Sequence, residues 1–168
     1  MFLTFCIVMI FASTMLMAAM KDATSMTIPN WISLALIAGF LLITPFNWAG
    51  WDVFAQHLLV GLAFFVAGFA MFAFGGLGGG DAKLMAATAL WWQWDDATIY
   101  ILYTTVIGGA LAILLLVGRR FIPESVLTAP WAHHLFRDEK KMPYGLALAG
   151  GALLTLPKSE IFLRSLGL

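Results

Sequence analysis

Apolar side chains fall into six stretches separated by short polar breaks, at about residues 2–20, 31–46, 55–75, 84–94, 98–117 and 144–157. A helix needs roughly 20 apolar residues to cross the hydrocarbon core of a bilayer. In lipid its backbone polar groups must also bond within the segment. The pattern therefore predicts an all-α, polytopic membrane protein with about six transmembrane helices, built as a single domain over residues 1–168. The fourth and sixth runs are shorter than a full span, so their ends must reach into flanking residues or the bilayer must thin around them. Lys21 follows the first run instead of preceding it, which reads as a retained helix and not as a cleaved signal peptide.

Composition supports that reading. The chain is 62% hydrophobic and 11% charged, against roughly 25% charged residues in an average soluble domain. Nine basic residues balance nine acidic ones, so no net charge points to nucleic acid. The lone Cys6 excludes an internal disulfide and a four-cysteine zinc site. Such short breaks leave no room for a large aqueous catalytic domain.

Basic residues near helix ends are retained on the cytoplasmic side, so their distribution sets the orientation. With the N-terminus outside, the inner breaks hold Lys21, Lys83, Arg119, Arg120, Arg137, Lys140 and Lys141, and the outer side keeps only Lys158 and Arg164. The outer turns then carry Asp52, Asp95 and Asp96 beside Trp48, Trp51, Trp91, Trp92 and Trp94, which read as an interfacial aromatic belt. The longest polar segment, Arg119 to Lys141, mixes charges with Trp131, Leu135 and Phe136 and suits the membrane surface, with Pro123 and Pro130 forbidding one continuous helix. No internal repeat is visible.

Carboxylates are expensive inside a membrane chain, so acids at helix ends are candidates for chemistry. Asp22 ends the first helix, and Asp81 follows the third in Gly75-Gly76-Leu77-Gly78-Gly79-Gly80-Asp81-Ala82-Lys83. Two crossings separate them, which returns both to the cytoplasmic face. Glycine lets a second chain approach closely, as an enzyme binding an extended peptide beside a carboxylate requires. A phosphate-binding loop would need Lys and then Ser or Thr where Asp81 and Ala82 stand, and a dinucleotide fingerprint would need Gly at 81. On these residues alone, a flexible turn with an incidental acid remains an equal alternative.

Asp22 followed by Ile28-Pro29-Asn30, with Gly78-Gly79-Gly80-Asp81-Ala82-Lys83-Leu84 downstream, resembles the type IV prepilin peptidases of the GxGD class of membrane aspartyl proteases. The compact length and Pro143-Tyr144-Gly145 are similar to the short branch found in tight-adherence (Flp) pilus systems. The resemblance implies an aspartic endopeptidase of the bacterial inner membrane that removes the leader of prepilin or pseudopilin precursors at the cytoplasmic face. Asp22 and Asp81 would be its catalytic pair. Gly78, Gly79, Gly80, Pro29, Asn30 and Lys83 would lie along the substrate, with no metal and no cofactor. Large bifunctional relatives carry two Cys-x-x-Cys pairs and an N-methyltransferase activity, neither of which Cys6 alone can support.

Other polar residues have plainer readings. Asn30 suits the cap of the second helix. Lys83, two positions after Asp81, suits an anchor to lipid phosphates, and the adjacent His133 and His134 match no metal-ligand spacing. Two other function classes stay open at this point. One is a small proton- or cation-coupled transporter using the two aspartates, and the other is a non-catalytic assembly subunit.

Overall fold

A computed structural model of the chain describes residues 1–121 and 142–168. The 119–141 segment, including His133 and His134, therefore lies largely outside the described residues. Seven α-helices and no strand are present among those described: α1 (Phe2–Ser25), α2 (Asn30–Ile43), α3 (Trp51–Ala73), α4 (Gly79–Ala89), α5 (Trp94–Phe121), α6 (Tyr144–Thr155) and α7 (Glu160–Ser165). Short 3-10 turns at Thr44–Asn47 and Leu156–Lys158 extend α2 and α6. Four segments, α1, α2 with its 3-10 turn, α3 and most of α5, are long and apolar enough to cross a membrane. The fourth and sixth apolar runs fall short: α4 has 11 residues and α6 has 12.

Those two short helices are the centre of the bundle. α4 packs against α2, α3 and α6, while α6 packs against α1, α4 and α5. Their sequences explain the position, because small residues such as Ala87, Ala147, Gly151 and Ala152 let neighbouring backbones approach closely. At Gly151 an added Cβ would stand 2.8 Å from the Thr104 backbone nitrogen on α5. The longer helices surround this pair and turn one stripe inward. On α1 it is Ile7, Phe11, Met15 and Ala18, and on α2 Ile32, Leu36 and Phe40. These spacings of three or four residues keep one helical face in contact. The opposite faces, including Leu41, Phe65, Phe69, Leu102 and Leu114, are exposed and apolar, as lipid contact requires.

One expectation from the sequence is corrected here. Trp91 and Trp92 are not part of an interfacial belt: both are fully buried and set edge-on against Phe11, with ring centroids 5.0 and 5.2 Å away. The cause is the length of α4. Eleven residues rise only about 16 Å, half the hydrocarbon thickness, so the turn after Ala89 closes inside the bundle and its rings become core. The Trp91 indole N–H donates to the Leu36 carbonyl at 3.2 Å. Trp48, Trp51 and Trp94 remain exposed. Asp96, the third residue of α5, is also buried, and it accepts the amides of Gln93 and Glu160, each at 3.3 Å. Thr4 and Asn47 side chains hold α7 at this same end through the carbonyls of Ser165 and Ile161.

Candidate active site

The opposite end of the bundle gathers the C-terminal turn of α1 and the first turns of α4 and α6. α1 runs to Ser25 and stops because Met26 takes a left-handed conformation, φ 51°, its amide bonding the Asp22 carbonyl at 2.9 Å. That places the Asp22 side chain on the last turn, where it is 4% exposed. The chain then extends through Ile28 to Pro29, which precedes α2.

α4 starts earlier than the apolar run at 84–94 suggests. Gly79 and Gly80 are its first two residues, Gly78 is the N-cap, and Asp81 is the third helical residue. An acidic side chain in that position naturally folds back toward the N-cap amide. The absence of a Cβ at Gly78 gives it room: a Cβ there would lie 2.7 Å from Asp81 Oδ2. Gly80 serves a different contact. A Cβ on it would meet Ile28 at 3.2 Å from its Cβ and 3.3 Å from its carbonyl oxygen. The space next to Asp81 is therefore filled by the extended segment leading into α2, which presses α4 against the chain carrying Asp22.

The third element was missed in the sequence. The Gly145 amide, second residue of α6, donates to Asp22 Oδ2 at 2.7 Å. A Cβ at 145 would come within 2.9 Å of the same oxygen and 2.7 Å of Ile28 Cδ1. The same amide also lies close to Asp81, which is within electrostatic reach of Asp22. Carboxyl groups from α1 and α4 thus meet beside the first turn of α6, whose Gly145 amide bonds Asp22. Pro143-Tyr144-Gly145 was the available signal, a proline before a helix start followed at once by glycine, but nothing in the sequence tells where such an amide points.

The remaining candidates spread around the pair. Asn30 does not cap α2, for Pro29 is the N-cap and no side chain bonds there; instead Asn30 Oδ1 accepts the Lys83 ammonium at 3.0 Å. A Lys83 side chain turned to α2 cannot be an isolated lipid anchor, and the two residues begin a groove of about 600 Å³ between α2, α3 and α4. A second groove of about 700 Å³ runs between α3 and α5, with Leu77 and Tyr144 at the dyad end. Among the described residues no group of three or more His, Cys, Asp or Glu converges as a metal site would need.

A sequence pattern characteristic of type IV leader peptidases matches residues 9–113, from α1 into α5. The chain belongs to the type IV leader peptidase family. It is thus a membrane peptidase, and the matched span contains both Asp22 and Asp81. Gly145 lies beyond the span, so the α6 contribution is visible in this leader peptidase only through its tertiary structure. Searches among curated proteins and solved structures found no match.

Proposed function

We propose that the protein is an aspartic endopeptidase that removes the leader from type IV pilin-like precursors, using Asp22 and Asp81 as its catalytic pair. The observation that carries this reading is the convergence of two buried carboxyl groups on separate helices. Close carboxylates cannot both ionise cheaply, so they hold one proton between them. The charged member takes a proton from water as that water attacks the scissile carbonyl, while the other protonates the carbonyl oxygen. Asp96 is an internal contrast. It too is buried at the third position of a helix, but it accepts hydrogen bonds from the Gln93 and Glu160 amides and so ties the start of α5 to α7.

In this reading the substrate is a single-helix membrane protein of the bacterial inner membrane. Its cleavage site is presented at the cytoplasmic face, to an enzyme whose N-terminus is outside. Gly78, Gly79 and Gly80 shape the turn around Asp81. Pro29, Asn30 and Lys83 form the rim where an extended leader segment would pass.

The test is Asp22→Asn and Asp81→Asn, each co-expressed with a pilin-like precursor and scored by the precursor's size shift per molecule of inserted enzyme. Asparagine preserves volume but cannot exchange the proton. Each single variant should lose nearly all turnover, and the double variant little more, since paired catalytic groups act as a unit. Substantial cleavage by either single variant would eliminate the dyad. Normal cleavage combined with altered ion flux would assign the two aspartates to ion movement and not to hydrolysis.

A further inference from the structure

We propose that the N-terminus of α6 sets the order of the dyad, holding Asp22 as the ionised base and leaving the shared proton on Asp81. This inference rests on the aspartyl-pair reading and adds to it the role of each member, with Gly145 as a positioning residue.

Following the α6 amides shows why Asp22 is the anion. The first N–H groups of a helix have no intrahelical acceptor and form the positive end of its dipole. Pro143, the N-cap, has no N–H. Tyr144 donates to the Met142 carbonyl at 2.9 Å, and Leu146 to the Pro143 carbonyl at 3.3 Å. Gly145 gives its amide to the Asp22 carboxyl group at 2.7 Å, and the neighbouring Leu146 amide also acts on Asp22. A hydrogen bond from an amide to an ionised carboxylate is about twice as strong as one between neutral groups, so the contact favours charge on Asp22.

Asp81 is less well satisfied, although the Gly78 and Gly145 amides also act on it. It is 9% exposed, and its Oδ1 is buried with no hydrogen-bond partner among the described residues. A charged carboxylate with one bare buried oxygen pays the full cost of lost hydration. A proton on Oδ1 removes that charge and turns the oxygen into a donor for a scissile carbonyl.

Among the described residues few other charges intervene. Asp22 and Asp81 face each other from α1 and α4; Lys21 is exposed and Lys83 is turned to Asn30. α2 has no titratable side chain, and near the pair α6 offers the Tyr144 phenol. His57 on α3 bonds the Leu90 carbonyl at the far end of α4, and Asp52 is at the start of α3; Glu160 and Arg164 sit on α7 beside the start of α1.

The proton path then balances. Asp22 accepts a proton from water, the resulting oxygen bonds the carbonyl carbon, and Asp81 gives its proton to the carbonyl oxygen, forming a neutral diol. Asp22 next gives its proton to the amide nitrogen as the C–N bond breaks, and Asp81 recovers one from a diol hydroxyl. Both residues return to their starting states.

The experiment measures kcat/KM of the full-length enzyme against pH, for wild type and Gly145→Ala, with a purified precursor in proteoliposomes. The added methyl must push Asp22 Oδ2 away from the amide, which raises the proton affinity of Asp22. The acidic limb of the profile should move up by about one pH unit, the alkaline limb should stay, and kcat should fall more than KM changes. A shift of the alkaline limb alone would make Asp22 the acid, and no shift of either limb would deny Gly145 its role; both overturn the proposal. Should Gly145→Ala not accumulate, the wild-type enzyme is treated with an epoxide until turnover stops, and the ester is mapped by peptide mass. The anion opens the epoxide while its protonated neighbour supplies the proton. An ester on Asp22 supports the order; one on Asp81, on both, or on neither overturns it. Activity in the Asn variants is a separate result, because it would remove the dyad itself.

Discussion

Gly80 offers a graded test of how closely the two acidic segments must approach. A Cβ at this position would stand 3.2, 3.3 and 3.4 Å from the Cβ, carbonyl oxygen and nitrogen of Ile28, inside the roughly 3.5–4.0 Å of an optimal contact. Two of those three atoms are backbone, so no rotamer change relieves the overlap. Gly80→Ala requires Ile28 to retreat by a few tenths of an ångström. Some of that cost is offset by the better helix propensity of alanine, worth up to about 1 kcal/mol in a helix interior. Stability should therefore barely change, and cleavage should drop several-fold as the approach of Asp81 to Asp22 loosens. Gly80→Val adds two methyl groups in the same confined space. Overpacking of that kind costs about 1–3 kcal/mol. A displacement of about 1 Å in a catalytic pair can cost roughly 100-fold in rate. The assay is precursor cleavage normalised to enzyme inserted in the membrane, with thermal unfolding in detergent measured alongside. Val at more than a third of wild-type turnover would show that contact between Ile28 and α4 is irrelevant to the site, and that the glycines form a plain connector.

Two further outcomes follow from the packing and the charge pattern. Gly151→Ala puts a methyl group against the Thr104 backbone, 2.8 Å from its nitrogen, and should lower stability by about 1–3 kcal/mol; an unchanged midpoint of thermal unfolding in detergent would mean that α5 and α6 are not in intimate contact. Reporter fusions after Asp52 should behave as external and fusions after Gly76 as cytoplasmic, because the proposed orientation puts Lys21 and Lys83 on the inner side; the reverse pattern would put both aspartates on the wrong face for a cytoplasmic leader.

The all-α membrane class was legible because lipid is a solvent that acts on every residue of a helix. An uncharged run such as residues 2–20 therefore announces itself locally. Asp22 and Asp81 were legible as candidates for the same reason, since an acid in such a chain stands out against its neighbours. The start of α4 was less so. Gly78, Gly79 and Gly80 read as loop by propensity, yet the last two open α4, Gly79 against Phe72 and Gly80 against Ile28.

Long-range packing decided the rest. Trp91 and Trp92 have the composition of an interfacial belt, and no local rule reveals that an 11-residue helix leaves them inside the bundle against Phe11. Asn30 and Lys83 join across 53 positions of sequence, and Gly145 reaches Asp22 across 123. Apolar periodicity and the cost of a buried charge are properties of a residue and its near neighbours, so the sequence by itself determined the helices and the acids worth watching. The direction of a single amide depends on how α1, α4 and α6 pack together, and that direction is what distinguishes the environments of the two aspartates.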